Sequence, residues 1–369
     1  MVQRVIDGHF LVGSVDYCEL GKQMSENIYY RSLLMFRMIV CLVGIFLLSC
    51  LLTSKISSVI LHVHARILLK YHIIISLVLT LNYFCISLFE LIRHSRQVDD
   101  PCGYTMPRWL SFVPHFVTGN MIHCQILSCL LIAIERLICT SKIRTYENVN
   151  YRKTLIVALF LMTLTVISGS YIVLGTTANW EIRLFYVSFR DVSNHFYASA
   201  YVFAQFCGDL VTVILCKIVD LVNRRARRNF VHGSFCGNKA FISTQLSSKL
   251  QIRENIAMSG TLLPVVVVHC LITAFSALVI SMSMMTLRGN ILLSVIISES
   301  CSLFPIYSIV MSFLIFRRHP SLFWPVAEKI CGRKLTKADA PTRKNEEEFE
   351  KHFKWFDEML DSRKIPTQV

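Results

Sequence analysis

The stretch SCLLIAIERLICTSKIRTYEN, residues 128–148, carries an oily run into an acid–base pair, Glu135-Arg136, and then into a string of basic residues. Acid and base side by side at the end of an apolar segment fit a helix that leaves hydrocarbon for water, because the interface accepts charge that the membrane interior excludes. The flanking sequence supports that reading. Over 369 residues the chain is 54% hydrophobic and only 17% charged, with the charges gathered between long apolar runs. A soluble domain has too little interior to hide so much apolar surface, so the pattern is that of a polytopic membrane protein.

A membrane-crossing helix takes about 20 mostly apolar residues. Seven segments reach that length: 33–53, 67–91, 110–134, 154–175, 197–219, 259–282 and 289–316. They divide the chain into an outer N-terminal segment (1–32), an all-α seven-transmembrane bundle (33–316) and a cytoplasmic tail (317–369). No signal-peptide pattern occupies the first 32 residues, so the first span is expected to serve as its own insertion signal. Pro264 and Pro305 should kink the sixth and seventh helices.

Orientation follows from lysine and arginine in the connecting loops. With the N-terminus outside, the cytoplasmic loops hold fifteen such residues and the outer loops six, which places the N-terminus outside and the C-terminus in the cytoplasm. Seven spans in that orientation are the arrangement of G-protein-coupled receptors. The net charge of +14 is spread over separate loops and the tail, with no zinc spacing or basic recognition helix, so nucleic acid is excluded as a partner.

Three further motifs accompany Glu135-Arg136. IERLICT (134–140) is followed by YEN (146–148), DPC stands at 100–102 before the third span, and LSSKLQIRENI (246–256) leads into the sixth. Together they resemble the nematode serpentine chemoreceptors of the Sra superfamily, most closely class AB with classes A, B and E as near alternatives, over residues 15–330. Three positions depart from the pattern: Cys139 for alanine, Leu250 for an aromatic, and LFPIYS (303–308) without an Asn-Pro-x-x-Tyr motif. The resemblance implies a plasma-membrane chemosensory receptor, in sensory cilia, that binds an odorant or water-soluble cue and activates a heterotrimeric G protein. Glu135 would then restrain Arg136 at rest. Adjacent on a helix, the two side chains point about 100° apart and pair imperfectly. Glu254, at the same depth on the sixth helix, is the candidate second restraint.

Of fourteen cysteines, nine lie in apolar spans, where cysteine behaves as a small hydrophobe. Cys139, Cys236 and Cys331 are cytoplasmic and expected to stay reduced, with Cys331 among basic residues a palmitoylation candidate. Cys18 and Cys102 alone face outside, and a bridge between them is expected, against two free thiols or an intermolecular link. In the tail, Phe349, Phe353, Phe356 and Leu360 would share one helical face, but a solvated, partly disordered tail is the expected reading and the helix the alternative.

Asp209 and Glu299 lie deep in the fifth and seventh spans, where ionisable groups are costly and usually face the bundle interior. They belong either to a structural polar network or to ligand or ion contact. The ligand is expected between helices three, five, six and seven, lined by Thr118, Tyr201, Gln205, Thr273 and Ser294, with Glu299 close by. His115, His123 and His269 invite a metal, but no His-x-x-x-His or Cys-x-x-Cys spacing supports one. No nucleophile elbow or phosphate loop occurs, so neither enzyme nor cofactor is expected. The rival is a seven-span channel or transporter, which would show opposed polar faces or repeated halves with broken helices.

Overall fold

The computed structural model describes residues 3–6, 9–12, 15–54, 63–141, 151–187, 195–232, 239–286, 290–319 and 322. Cys331 and the tail segments read above lie outside these residues.

The chain opens with a feature absent from the sequence reading. Strands β1 (Gln3–Ile6), β2 (His9–Val12) and β3 (Val15–Asp16) form an antiparallel meander, with Gln3 opposite Val12 and Leu11 opposite Asp16. Asp16 then caps helix α1 (Tyr17–Glu26), its carboxylate accepting the Cys18 amide at 2.8 Å.

Seven helical spans are long and apolar enough to cross a membrane. They are α2 (Ile28–Thr53), α3 (Val63–Ser95), α4 (Arg108–Ser141), α5 (Arg152–Ser170), α6 (His195–His232), α7 (Lys239–Thr286) and the pair α8 (Ile291–Ser300) and α9 (Phe304–Arg318). The large apolar side chains left on the outside, among them Phe46, Phe160, Phe203, Leu271 and Phe313, suit hydrocarbon and would be a liability in water. Helix α5 is peripheral, with most of its side chains turned outward.

Two helices run well past the spans read from the sequence. The sixth-span helix begins at Lys239, a full polar segment before residue 259, and the fifth-span helix reaches His232. Pro264 lies inside the unbroken α7, whereas Pro305 sits in the first turn of α9, where its missing N–H is not needed. The seventh span is therefore broken at 301–303, more than the expected kink.

Packing is close where α2, α3 and α9 meet. A Cβ built on Gly44 would stand 3.2 Å from Thr80 Cγ2 and 3.4 Å from Ser308 Cβ, so glycine is what lets these backbones approach. The main apolar cluster, with Leu48, Leu69, Ile132, Leu262 and Met311, draws on α2, α3, α4, α7 and α9.

Candidate functional site

Toward the end of the bundle that carries α1, the helices leave a cavity of about 140 Å3. That is close to the volume known to hold benzene. Helix α4 contributes His115, Thr118 and Ile122; α6 contributes Tyr201, Val202 and Gln205; α7 contributes Thr273, Ser276 and Ile280. Val295, Ser298 and Glu299 come from α8, and Phe304 closes the floor. Here α4 and α6 approach closely: a Cβ on Gly119 would lie 3.1 Å from the Tyr201 ring. Of the lining residues read from the sequence, Thr118, Tyr201, Gln205, Thr273 and Glu299 meet at this cavity. Ser294 does not; it is buried on α8, and its neighbour Val295 faces the cavity instead.

Glu299 is held by a residue the sequence reading missed. Arg37 of α2 donates from one guanidinium nitrogen to Glu299 Oε2 at 2.8 Å and from the other to the Glu299 carbonyl at 2.6 Å. The same guanidinium lies over the Tyr83 ring, 5.9 Å from its centroid. The signal was present, since an arginine inside a span needs a buried acid as much as the acid needs it. Glu299 Oε1 points the other way, 3.8 Å from His115 Nε2 and beyond hydrogen-bond reach.

Below the cavity a buried polar relay runs through five spans. His269 Nδ1 of α7 meets both Asp209 oxygens of α6 at 2.9 Å, and its Nε2 meets Gln125 Oε1 of α4 at 3.2 Å. Gln125 donates to Ser76 of α3 at 2.8 Å. His72, one turn along α3, bonds Ser128 at 2.7 Å and the Tyr307 hydroxyl of α9 at 2.8 Å. Asp209 and His269 are each 1% exposed, so the acid is an internal partner here and does not line the cavity.

At the opposite end, Arg136 is only 1% exposed despite its place near the helix end. Its guanidinium clasps Glu135 through two nitrogens, Nη2 reaching Oε1 at 2.6 Å. This corrects the expectation of imperfect pairing: flexible side chains fold back across the angle that separates their Cβ atoms. One turn on, Thr140 donates to Asn223 Oδ1 at 2.9 Å and so ties α4 to α6. The α7 backbone includes position 254, but the Glu254 side chain lies outside the described residues.

The mouth of the cavity end is tied down by two capped turns. Asp100 accepts the Cys102 amide at 2.9 Å at the head of a 3-10 turn, Pro101–Tyr104, as Asp16 accepts that of Cys18. A disulfide joins Cys18 to Cys102. Arg93 of α3 gathers the Glu90 carboxylate and the carbonyls of Tyr104 and Phe185, binding α3 to both loops. Tyr17 and Met24 of α1 pack on Phe185 and Val295, which lays α1 over this end. Burial raises the Tyr17 phenol above its ordinary range, so it stays protonated there.

Among the described residues, no group of three or more His, Cys, Asp or Glu side chains is disposed to hold a metal. The arrangement defines a seven-span helical membrane protein with a small-molecule-sized cavity at one end and a restrained acid–arginine pair at the other. A family model for the serpentine type 7TM GPCR receptor class ab chemoreceptors matches residues 15–330. The chain belongs to that family, which is one of chemoreceptors and not of enzymes. No curated protein matches the chain.

Proposed function

We propose that the protein is a chemosensory receptor that binds a small-molecule cue in the cavity and activates a heterotrimeric G protein at the Arg136 end. The observation that carries this reading is the buried relay between the two ends. Asp209, His269, Gln125, His72 and Tyr307 connect four of the helices that line the cavity or carry Arg136 with the helix that follows the break. A ligand that binds one helix arrangement more tightly than another shifts the population toward it, and a relay spanning those helices lets the shift reach the far end. In this reading the disulfide end faces outside and the Arg136 end faces the cytoplasm of a sensory cell. The same reading assigns Glu135 and Glu254 to restraint of Arg136, Cys331 to a lipid anchor, and no catalytic role to any residue.

The test is expression in a cell carrying a second-messenger reporter, screened with volatile and water-soluble compounds. A ligand-dependent response that disappears when the G protein is inhibited supports the receptor. A ligand-gated current that survives inhibition points to a channel and removes the proposal.

A further inference from the structure

Resting on the reading of the cavity as the ligand site, we infer that its ligand is a small uncharged molecule with a hydroxyl group, an alcohol or phenol, anchored by donation to Glu299 Oε1. The inference comes from where the hydrogens on the cavity wall already point. Thr118 donates to the Pro114 carbonyl at 3.1 Å and Thr273 to that of His269 at 3.0 Å. Ser276 donates to the Cys301 carbonyl at 2.9 Å, and Ser302 to the Tyr83 oxygen at 2.9 Å. Gln205 turns its amide nitrogen to the Gly119 carbonyl at 3.0 Å and to His123 Nδ1 at 2.9 Å. Each of these groups gives its hydrogen to the protein; Thr273, Ser276, Ser302 and Gln205 leave an oxygen for the guest, whereas the Thr118 oxygen already accepts from the Asn82 amide at 2.8 Å.

The strongest of the acceptors is Glu299. Arg37 occupies Oε2 and the backbone carbonyl, and among the described residues no hydrogen bond reaches Oε1. A guest without a donor would displace water from that oxygen and return nothing, while a donor makes a charge-assisted bond to it. Charge narrows the class further. The Arg37 guanidinium, 2.8 Å away, already balances the carboxylate, so a cationic guest would be desolvated beside a second positive charge. An anion would face the carboxylate directly. Size sets the last limit: about 140 Å3, walled by Ile122, Val202, Ile280, Val295 and Phe304, suits a body near benzene in bulk.

The test uses phenol, anisole, toluene, benzylammonium and benzoate, a set of similar size that separates donor, acceptor, apolar and charged character. Dissociation constants are measured by saturation-transfer NMR on the full-length protein in nanodiscs, with empty nanodiscs subtracted. Phenol should bind at least about tenfold more tightly than anisole, toluene or either ion. Glu299→Gln should weaken phenol by about tenfold and leave toluene within about twofold. If that variant does not accumulate, Arg37→Met with Glu299→Met removes the acceptor together with its buried partner, a replacement that proteins tolerate, and should erase the preference for phenol. Equal affinity for phenol and toluene, tightest binding by an ion, or no binding of any of the five overturns the inference. Nucleotide exchange by a G protein on the same nanodiscs is read separately. A preference for phenol without exchange keeps the ligand class and removes the receptor reading; exchange without the preference does the reverse.

Discussion

The imidazole of His269 on the sixth span stands 2.9 Å from both carboxylate oxygens of Asp209 on the fifth, with each residue 1% exposed. Its other nitrogen meets the Gln125 oxygen at 3.2 Å, so both ring nitrogens face polar partners inside the bundle. Removing one partner of a buried pair strands the other. Asp209→Ala should therefore lower unfolding stability by about 3 kcal/mol, and Asp209→Leu with His269→Leu should recover most of it. Thermal unfolding of the purified protein in detergent gives both values. An alanine variant that melts with the wild type would show that the pair contributes nothing.

Arg136 is predicted to be indispensable for coupling and dispensable for folding. Arg136→Ala should reduce the ligand response to background at wild-type surface density. A normal response from this variant would mean that the acid–arginine pair marks only the place where a helix meets water.

Glu254 is predicted to share the restraint on that arginine. A charge-assisted contact of about 1.5–3 kcal/mol moves a two-state equilibrium more than tenfold, so Glu254→Gln should raise ligand-independent signalling severalfold. Unchanged basal signalling at matched surface levels takes Glu254 out of the mechanism.

The bridge from Cys18 to Cys102 closes a loop with a sequence separation of 84. In the chain-entropy model that constraint contributes about 4.5 kcal/mol. Cys18→Ser should lower the thermal midpoint and reduce surface yield, and non-reducing peptide maps of the wild type should show the two cysteines linked. Recovery of both as alkylated free thiols would refute the pairing.

Orientation has a direct check. An epitope after residue 2 should be stained on intact cells, and one after Val369 only after permeabilisation. The opposite pattern would place Arg136 on the wrong side for a G protein.

What the sequence made legible was the repeated physical demand for about 20 apolar residues per crossing, and the seven helices appear where that demand is met. Depth and polarity were also enough to bring Thr118, Tyr201, Gln205, Thr273 and Glu299 to one cavity. The direction in which a helix turns each residue was less legible, because a span that is apolar all round carries no periodic signal to orient it. Ser294 was misplaced for that reason, one residue from the position that lines the cavity. Arg37 was overlooked because partnership with Glu299 joins residues 262 apart in sequence and exists only in the folded bundle. The three N-terminal strands are too short to announce themselves, and the early start of α7 lies in a polar stretch that hydropathy cannot report.

The break at 301–303 divides the labour of the seventh span. Glu299, on the near side, belongs to the cavity; Tyr307, on the far side, belongs to the relay. An unbroken helix would make any adjustment of one segment a displacement of the other. Here the two are joined by a short non-helical link, so in the proposed receptor substitutions in 291–300 would retune what is recognised while 304–318 keeps its place among the other helices. Exchanging 291–300 between related chains should then transfer ligand preference without transferring basal activity, and a joint transfer would show the link to be rigid. In the proposed receptor, such a division would let recognition change while the segment that carries the relay stays fixed, the property a set of sensors requires if many chemicals are to be reported through one intracellular pathway.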